Sequence, residues 1–125
     1  MGQPSGGGYV SIRRNAESTS AKFGYDKSTG YFGDKHPRSK PKTREIISNS
    51  PAKDARELFR QITKGGVKED IPGLKGQAVR LPEGTLVTLR LVTSSSGSPA
   101  VEINIKETIK GSKIRTQKIH FRKGE

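Results

Sequence analysis

The spacing of apolar residues changes part-way along this chain from a helical period to a strand period. Ala55, Leu58, Phe59 and Ile62 occupy positions i, i+3, i+4 and i+7, so they share one face of an α-helix. From about residue 78 onwards apolar and polar residues alternate, which is the pattern of a half-buried β-strand. A one-sided helix and a one-sided sheet bury their apolar faces by packing together. The sequence therefore predicts an α+β fold.

The residues around the helix indicate where it begins and ends. Ser50-Pro51 places a hydroxyl-bearing residue before a proline at the first helical position, which is a common helix start. Gly65-Gly66 is typical of a helix end. We predict one amphipathic helix of about four turns between these points.

The alternating part of the chain falls into four short segments. Val79 and Leu81 lie in the first, and the other three span residues 87–92, 101–106 and 118–121. Pro82-Glu83-Gly84 is a hairpin turn, and a serine-rich loop and a second turn separate the remaining strands. Short connections favour a four-stranded antiparallel meander, packed against the amino-terminal amphipathic helix. We assign this helix-plus-sheet domain to residues 48–125.

Residues 1–47 show no sustained period and are predicted to form a basic, partly disordered arm or linker rich in Gly, Ser and Pro. Residues 1–45 carry 9 basic and 4 acidic residues. They also hold five of the seven aromatic residues, which a fully disordered arm should lack. These aromatics suit either packing on the domain or stacking on bases. We favour packing, with short strands around residues 24–33; the five are Tyr9, Phe23, Tyr25, Tyr31 and Phe32.

Composition limits the function classes open to the chain. Its net charge is +12, which favours a polyanionic partner, either nucleic acid or an anionic membrane surface. A membrane surface is the weaker of the two, because the chain lacks an amphipathic basic helix with exposed apolar residues. The absence of Cys excludes disulfides and thiol catalysis, and two His are too few for a His-built metal centre. No nucleotide-binding glycine motif and no apolar run of about 18 residues occurs, so we predict no cofactor and no membrane anchor.

Alternation sorts the strand residues onto an apolar face and a polar face. The polar face carries cations, hydroxyls, an amide, a carboxylate and an imidazole: Arg80, Thr88, Arg90, Glu102, Asn104, Lys106, Thr116, Lys118 and His120. One interpretation is a solvated face, which antiparallel sheets commonly have. The other interpretation is a site that acts on a polyanion.

The second interpretation suits the cleavage of RNA. Cleavage without a metal needs a base for the 2′-OH proton, an acid for the leaving 5′-oxygen and cations at the phosphorane oxygens. His120 suits the base or the acid, because the ordinary pKa of imidazole lies near 6.5. Glu102 suits the other role or orients His120. Arg90 and Lys118 are candidate phosphate ligands, with Thr88 beside them on the same face.

Other polar residues of the same region are candidates for binding RNA. The cations and hydroxyls concerned are Arg80, Ser94, Ser96, Lys106, Arg115, Thr116, Arg122 and Lys123. The serine run is also typical of a flexible loop. His36, beside Pro37 in the arm, is the second imidazole, which we expect to be solvated or locally bonded. A two-histidine mechanism would require His36 to fold back onto the sheet.

The order of these elements resembles a known group of proteins. It runs from the helix to Leu81-Pro82-Glu83-Gly84-Thr85 at a strand start, then to a serine-rich loop, and ends in the strand Lys118-Ile119-His120-Phe121. This order is similar to the carboxyl-terminal toxin domains of bacterial polymorphic toxins of the contact-dependent inhibition and Rhs types. The architecture resembles the barnase/EndoU/colicin/RelE (BECR) group of ribonucleases.

This resemblance covers about residues 48–125 and implies a metal-independent ribonuclease, often one that cleaves tRNA, with His120 in the imidazole role and Lys118, Arg90 and Thr88 as its neighbours. It implies export as the carboxyl-terminal part of a larger effector and action in the cytoplasm of the target cell. It also implies a dedicated immunity protein, which we expect to be acidic. We expect the domain to be a monomer. The alternative is a non-enzymatic basic module that binds RNA or DNA, associated with the ribosome or the nucleoid.

Overall fold

A computed structural model of the chain describes residues 11–92, 97–105 and 113–124. It contains two α-helices, one short 3₁₀-helix and seven strands in these ranges. The helices are α1 (Ser11–Glu17), α2 (Pro51–Ile62) and the 3₁₀-helix Ala21–Phe23. The strands are β1 (Asp34–Lys35), β2 (Thr43–Ser48), β3 (Val67–Lys68), β4 (Gln77–Arg80), β5 (Leu86–Arg90), β6 (Ala100–Asn104) and β7 (Gln117–Lys123).

The α+β prediction is confirmed, but the sheet is larger than the predicted four-stranded meander. Its strand order is β1-β2-β7-β6-β5-β4-β3. The predicted antiparallel meander is present as its centre, β4 to β7. β2 adds in parallel to β7, and β1 and β3 form the two edges. The sheet is therefore mixed.

The extra strand β2 comes from the segment that the sequence placed in the arm. Its apolar residues, Ile46 and Ile47, are adjacent, so the segment lacks the alternation that marks a half-buried strand. In the sheet Ile46 is 8% exposed and Ile47 is 54% exposed. Pairing with β7, rather than the burial of a regular apolar face, explains why this segment is a strand.

The predicted helix is α2, and its packing on the sheet is confirmed. Ala55, Leu58, Phe59 and Ile62 are buried in one cluster with apolar residues of β4 to β7, including Leu89 and Ile103. Ser50 is the N-cap, but its hydroxyl makes no capping hydrogen bond. Its N–H donates instead to the Ser48 hydroxyl, which in turn donates to Asp54 in the first turn.

Much of the amino-terminal segment packs against the same core. Ile12, Phe23 and Phe32 are at most 1% exposed. The predicted packing is thus confirmed for the two phenylalanines. Tyr9 lies outside the described residues. The carboxylate of Glu83 accepts hydrogen bonds from the N–H groups of Ser11 and Ile12 at the start of α1. The predicted short strands around residues 24–33 reduce to one isolated bridge, between residues 26 and 31.

One buried amide joins this segment to the last strand. Gln117 is 1% exposed. Its Oε1 accepts from Phe32 N–H at 2.8 Å, and its Nε2 donates to Gly30 O at 2.9 Å. Gly30 has a φ of 81°, and a Cβ there would lie 1.7 Å from the carbonyl oxygen of Lys113. Only glycine fits this close approach of the two segments.

None of the helices in the described ranges has the length and apolar character needed to cross a membrane.

The packing of α2 predicts the effect of truncating its most buried leucine. Leu58→Ala should lower the free energy of unfolding by about 2–5 kcal/mol, because Leu58 is 0% exposed and its loss leaves a cavity. Urea unfolding followed by circular dichroism measures this change. Arg56→Ala, on the exposed face of α2, is the control and should change stability by about 0.5 kcal/mol or less. Equal stability of the two variants would contradict this packing.

Candidate functional site

The sheet register places the predicted site residues in two neighbouring rows on the polar face. Thr88, Glu102 and Lys118 pair in succession across β5, β6 and β7. The next row contains Arg90 on β5, Ala100 on β6 and His120 on β7. Ala100 separates Arg90 from His120, so their backbones lie two strand spacings apart, about 10 Å.

His120 faces a pocket built from elements that the sequence did not connect. The pocket has a volume of about 770 Å³ and includes His36, Ser98, His120 and Arg122 in its lining. The ring centroids of His36 and His120 are 6.4 Å apart. His36 therefore folds back over the sheet, which is the condition that a two-histidine mechanism requires.

His120 is held in a largely buried position. Its relative exposure is 8%, and its Nδ1 lies 3.2 Å from the hydroxyl of Ser98. Burial lowers the pKa of His120 below its ordinary value, and the positive charges of Lys118 and His36 lower it further. The Glu45 carboxylate opposes this shift. The neutral form of His120 is thus favoured near pH 7, which suits a proton acceptor.

The hydrogen bonds of His36 define which of its nitrogens is free. Its Nδ1 lies 3.0 Å from the carbonyl oxygen of Pro37 and 3.3 Å from the Ser39 hydroxyl. A carbonyl oxygen only accepts, so the hydrogen bond to Pro37 places a proton on Nδ1. The Nε2 atom lies 4.0 Å from Glu45 Oε1 and remains available for proton transfer.

Glu45 connects the two imidazoles to a cation at the pocket. It is the neighbour of His120 in the parallel β2–β7 register. Its Oε1 lies 3.2 Å from Arg122 Nε, in an ion pair that lacks hydrogen-bond alignment. Glu45 Oε1 and Arg90 Nε are the buried side-chain polar atoms without a hydrogen-bond partner among the described residues. Both lie on the polar face, and buried polar atoms of this kind are commonly satisfied by water, an ion or a ligand.

Several predicted site residues lie away from this pocket. Arg90, Glu102 and Thr88 are not part of its lining, and Thr88 is 7% exposed. Lys118 acts on His120 through its charge. The structure thus joins His120 to His36, Glu45 and Arg122 instead of to Arg90 and Thr88.

Two of the predicted RNA-binding residues form contacts within the fold. The guanidinium of Arg80 donates to both carboxylate oxygens of Glu69, at 2.9 and 2.6 Å, and to the carbonyl of Gly84. The hydroxyl of Thr116 accepts from the backbone N–H of Ile105. These groups are engaged in holding neighbouring segments together.

The remaining predicted RNA-binding residues fall into three sets. Arg122 and Lys123 line the pocket. Arg115 is exposed beside residue 30, to which its backbone N–H donates. Ser94, Ser96 and Lys106 lie outside the described residues.

Sequence reasoning missed Glu45 and Ser98 and gave His36 a lesser place. The signal for Glu45 was weak, because β2 does not alternate and so was not recognised as a strand. Ser98 was visible as part of the serine-rich loop, whose hydroxyls the sequence linked to phosphate rather than to His120. Only the fold brings residues 36 and 120 together.

Comparison with protein-family models, curated proteins and solved structures finds no match to this chain. Within the described ranges, no group of three or more His, Asp or Glu side chains is placed to hold a metal ion.

The surroundings of His120 predict how its pKa responds to neighbouring charges. In the folded protein the value should lie below 6.5, because burial disfavours the imidazolium. Lys118→Gln should raise it towards 6.5, and Glu45→Gln should lower it further. An NMR titration of the His120 ring measures both shifts, and Arg56→Gln on α2 is the control for a distant loss of charge. A value unchanged by both site variants would contradict this environment.

The same shift has a definite sign for stability. The folded-state pKa of His120 lies below the unfolded value, so protonation favours the unfolded chain. We expect the stability contributed by neutral His120 to be present above about pH 6.5 and to be lost as the pH falls through the folded-state pKa. Unfolding midpoints measured across this range should show a weaker decline in His120→Gln than in the parent protein.

Proposed function

We propose that this protein is an endoribonuclease that cleaves RNA by metal-independent transesterification. The observation that carries the proposal is the pair of imidazoles, with ring centroids 6.4 Å apart across one pocket. Each has a tethered Nδ1, and we assign the two proton transfers to the Nε2 atoms. A general base and a general acid on opposite sides of one phosphate are what the reaction needs.

In this mechanism His120 is the base and His36 is the acid. We assign His120 the tautomer in which Nδ1–H donates a hydrogen bond to the Ser98 hydroxyl. Its Nε2 then carries a lone pair and removes the proton of the ribose 2′-OH. The 2′-oxygen attacks phosphorus and the bond from phosphorus to the 5′-oxygen breaks. His36 reacts as the imidazolium, with a proton on each ring nitrogen, and its Nε2–H protonates the leaving 5′-oxygen while Nδ1–H stays on the Pro37 carbonyl. The products are a 2′,3′-cyclic phosphate and a 5′-hydroxyl, and the two histidines have exchanged protonation states.

Charged groups around the histidines support both steps. Arg122 lines the pocket with a side chain that is 52% exposed, so its guanidinium is accessible to a phosphate. Lys118 adds positive potential beside His120 and helps to keep that imidazole neutral before reaction. Glu45 Oε1 lies 4.0 Å from His36 Nε2, where its negative charge favours the protonated form of that imidazole. Fixed charges of this kind stabilise a phosphorane without reorganising during the reaction.

Substitution of either histidine tests the chemistry. His120→Ala and His36→Ala should each lower the cleavage rate by about 10²–10⁴, the usual contribution of one general acid or base. Affinity for a non-cleavable 2′-deoxy oligonucleotide should barely change, because at most the single charge of one imidazolium is lost among many cations. Gel analysis should show products that end in 2′,3′-cyclic phosphate, formed equally well in the presence of a chelator. Cleavage at the parental rate by both variants would refute the assignment.

Chemical rescue separates a catalytic role from a structural one. Added imidazole should partly restore cleavage in His36→Gly, since the His36 side chain is 35% exposed and its loss opens the pocket to solvent. A variant inactive only because of misfolding would not respond to imidazole. Near-ultraviolet circular dichroism provides the matching check that His120→Ala keeps its tertiary structure.

Net charge also favours the alternative function, a basic module that binds nucleic acid without cleaving it. The chain carries a charge of +12, and cations alone give substantial non-specific affinity for RNA. This function predicts tight binding with no turnover and no special effect of His36 or His120. The imidazole pair favours the enzyme.

The biological setting that we propose is an antibacterial toxin domain that acts on tRNA and is inhibited by an acidic immunity protein. It rests on the resemblance to polymorphic toxin domains and on the basic surface. Inducible production in the bacterial cytoplasm should arrest growth and give discrete tRNA fragments on a gel of total RNA. The His36→Ala/His120→Ala double variant should be harmless at equal expression. Harmless expression of the folded parent protein would count against a toxin.

A further inference from the structure

The segment between β1 and β2 forms a basic double turn that overhangs the candidate site. Its residues 36–43 are closed by hydrogen bonds from His36 N–H to Thr43 O, from Ser39 N–H to His36 O and from Thr43 N–H to Lys40 O. Three of its side chains, those of His36, Ser39 and Thr43, line the pocket. The turn therefore forms one wall of the pocket that contains both histidines.

Three cations of the turn, Arg38, Lys40 and Lys42, form no ion pair within the part of the chain that the structure describes. All three are exposed, and none forms a side-chain hydrogen bond with a described residue. Glu45, in the adjoining strand β2, already forms an ion pair with Arg122. Exposed Arg and Lys side chains without ion-pair partners are common ligands of the phosphate backbone of nucleic acids.

The turn is also fixed in place and strained at one residue. The carbonyl of Lys42 accepts from the backbone N–H of Lys118, which ties the turn to β7. Arg38 has a φ of 61° and is the non-glycine residue with a positive φ among those described. This left-handed conformation favours glycine or asparagine, so the arginine at this position opposes the local backbone preference. Such a residue points to a role outside the fold.

We propose that Arg38, Lys40 and Lys42 form a phosphate clamp that binds the backbone of single-stranded RNA beside the scissile phosphate. The proposal rests on the proposed ribonuclease function and adds where the strand enters the site. The clamp binds phosphates that flank the reacting one, and the histidines act on the phosphate between the flanking nucleotides. Contacts of this kind carry no sequence preference of their own.

The chain offers a matched control for this clamp. Lys35 lies on β1, is exposed and forms no ion pair with a described residue. Its register partner is Arg44, whose guanidinium donates to the carbonyls of Phe32, Gly33 and Pro41. Alternation along β2 places Arg44, and with it Lys35, on the face opposite to that of Glu45. Lys35→Gln and Lys40→Gln remove the same charge from positions five residues apart, but only the second removes it from the turn.

Oligonucleotide binding gives the first test. Fluorescence anisotropy with a 2′-deoxy dodecamer, which cannot be cleaved, measures affinity at several salt concentrations. The slope of log affinity against log salt is negative, and each lost phosphate contact should make it shallower by about 0.7. A variant that binds like the parent at 1 M salt should then bind about fivefold more weakly than the parent at 0.1 M salt. Lys40→Gln should show this change, the triple variant of Arg38, Lys40 and Lys42 should show about three times the slope change, and Lys35→Gln should show little. Equal effects of Lys35→Gln and Lys40→Gln would overturn the clamp.

Stability and cleavage give two further tests. Arg38→Gly removes the charge and the backbone strain together, so its melting temperature should equal or exceed that of the parent while its oligonucleotide affinity falls. A structural role alone would make both move together, and unchanged affinity would overturn the clamp. With RNA substrates, the triple variant should raise KM for a dodecamer but leave kcat/KM for a dinucleotide unchanged. If the parent protein cleaves neither RNA, the proposed function fails, and the anisotropy comparison still decides whether the clamp exists.

Discussion

The parallel pairing of β2 with β7 is the contact on which the rest of the structure depends. It extends over six residue pairs, from Thr43 with Lys118 to Ser48 with Lys123. It places Glu45 beside His120 and brings the turn that carries His36 over the same pocket. Without β2, the last strand would be a sheet edge with a row of unpaired backbone groups, and the pocket would lose one wall.

The regular periods of the sequence predicted the core of this fold. The helical spacing of Ala55, Leu58, Phe59 and Ile62 is that of α2, and the alternation beyond residue 78 is that of the meander β4 to β7. Both patterns are readable because each element buries one face. The elements missed were those that depend on distant partners. β2 is a strand because it hydrogen-bonds to β7, and the segment around Phe32 is ordered because the Gln117 amide binds its backbone.

The same distinction explains what could be predicted of the candidate site. The period of two correctly grouped Arg90, Glu102, Lys118 and His120 on one face, because alternation along a strand decides the face. It could not decide which of them lie together, since that requires the register between strands and the path of the loops. His36 and Glu45 come from a part of the chain with no readable period, and their approach to His120 follows only from the tertiary fold.

The Gln117 amide has a consequence for how the molecule forms. Its hydrogen bonds join residues 85 and 87 positions apart in the chain, to Phe32 and Gly30. Contacts this distant in sequence form slowly, because much of the chain's freedom is lost before they stabilise anything. The hairpins among β4, β5 and β6 can assemble from local contacts well before β2 and β7 meet. We therefore expect the two imidazoles to come together late in folding, after the hairpins of the meander, so that a chain with its local contacts formed still lacks the pocket between the histidines.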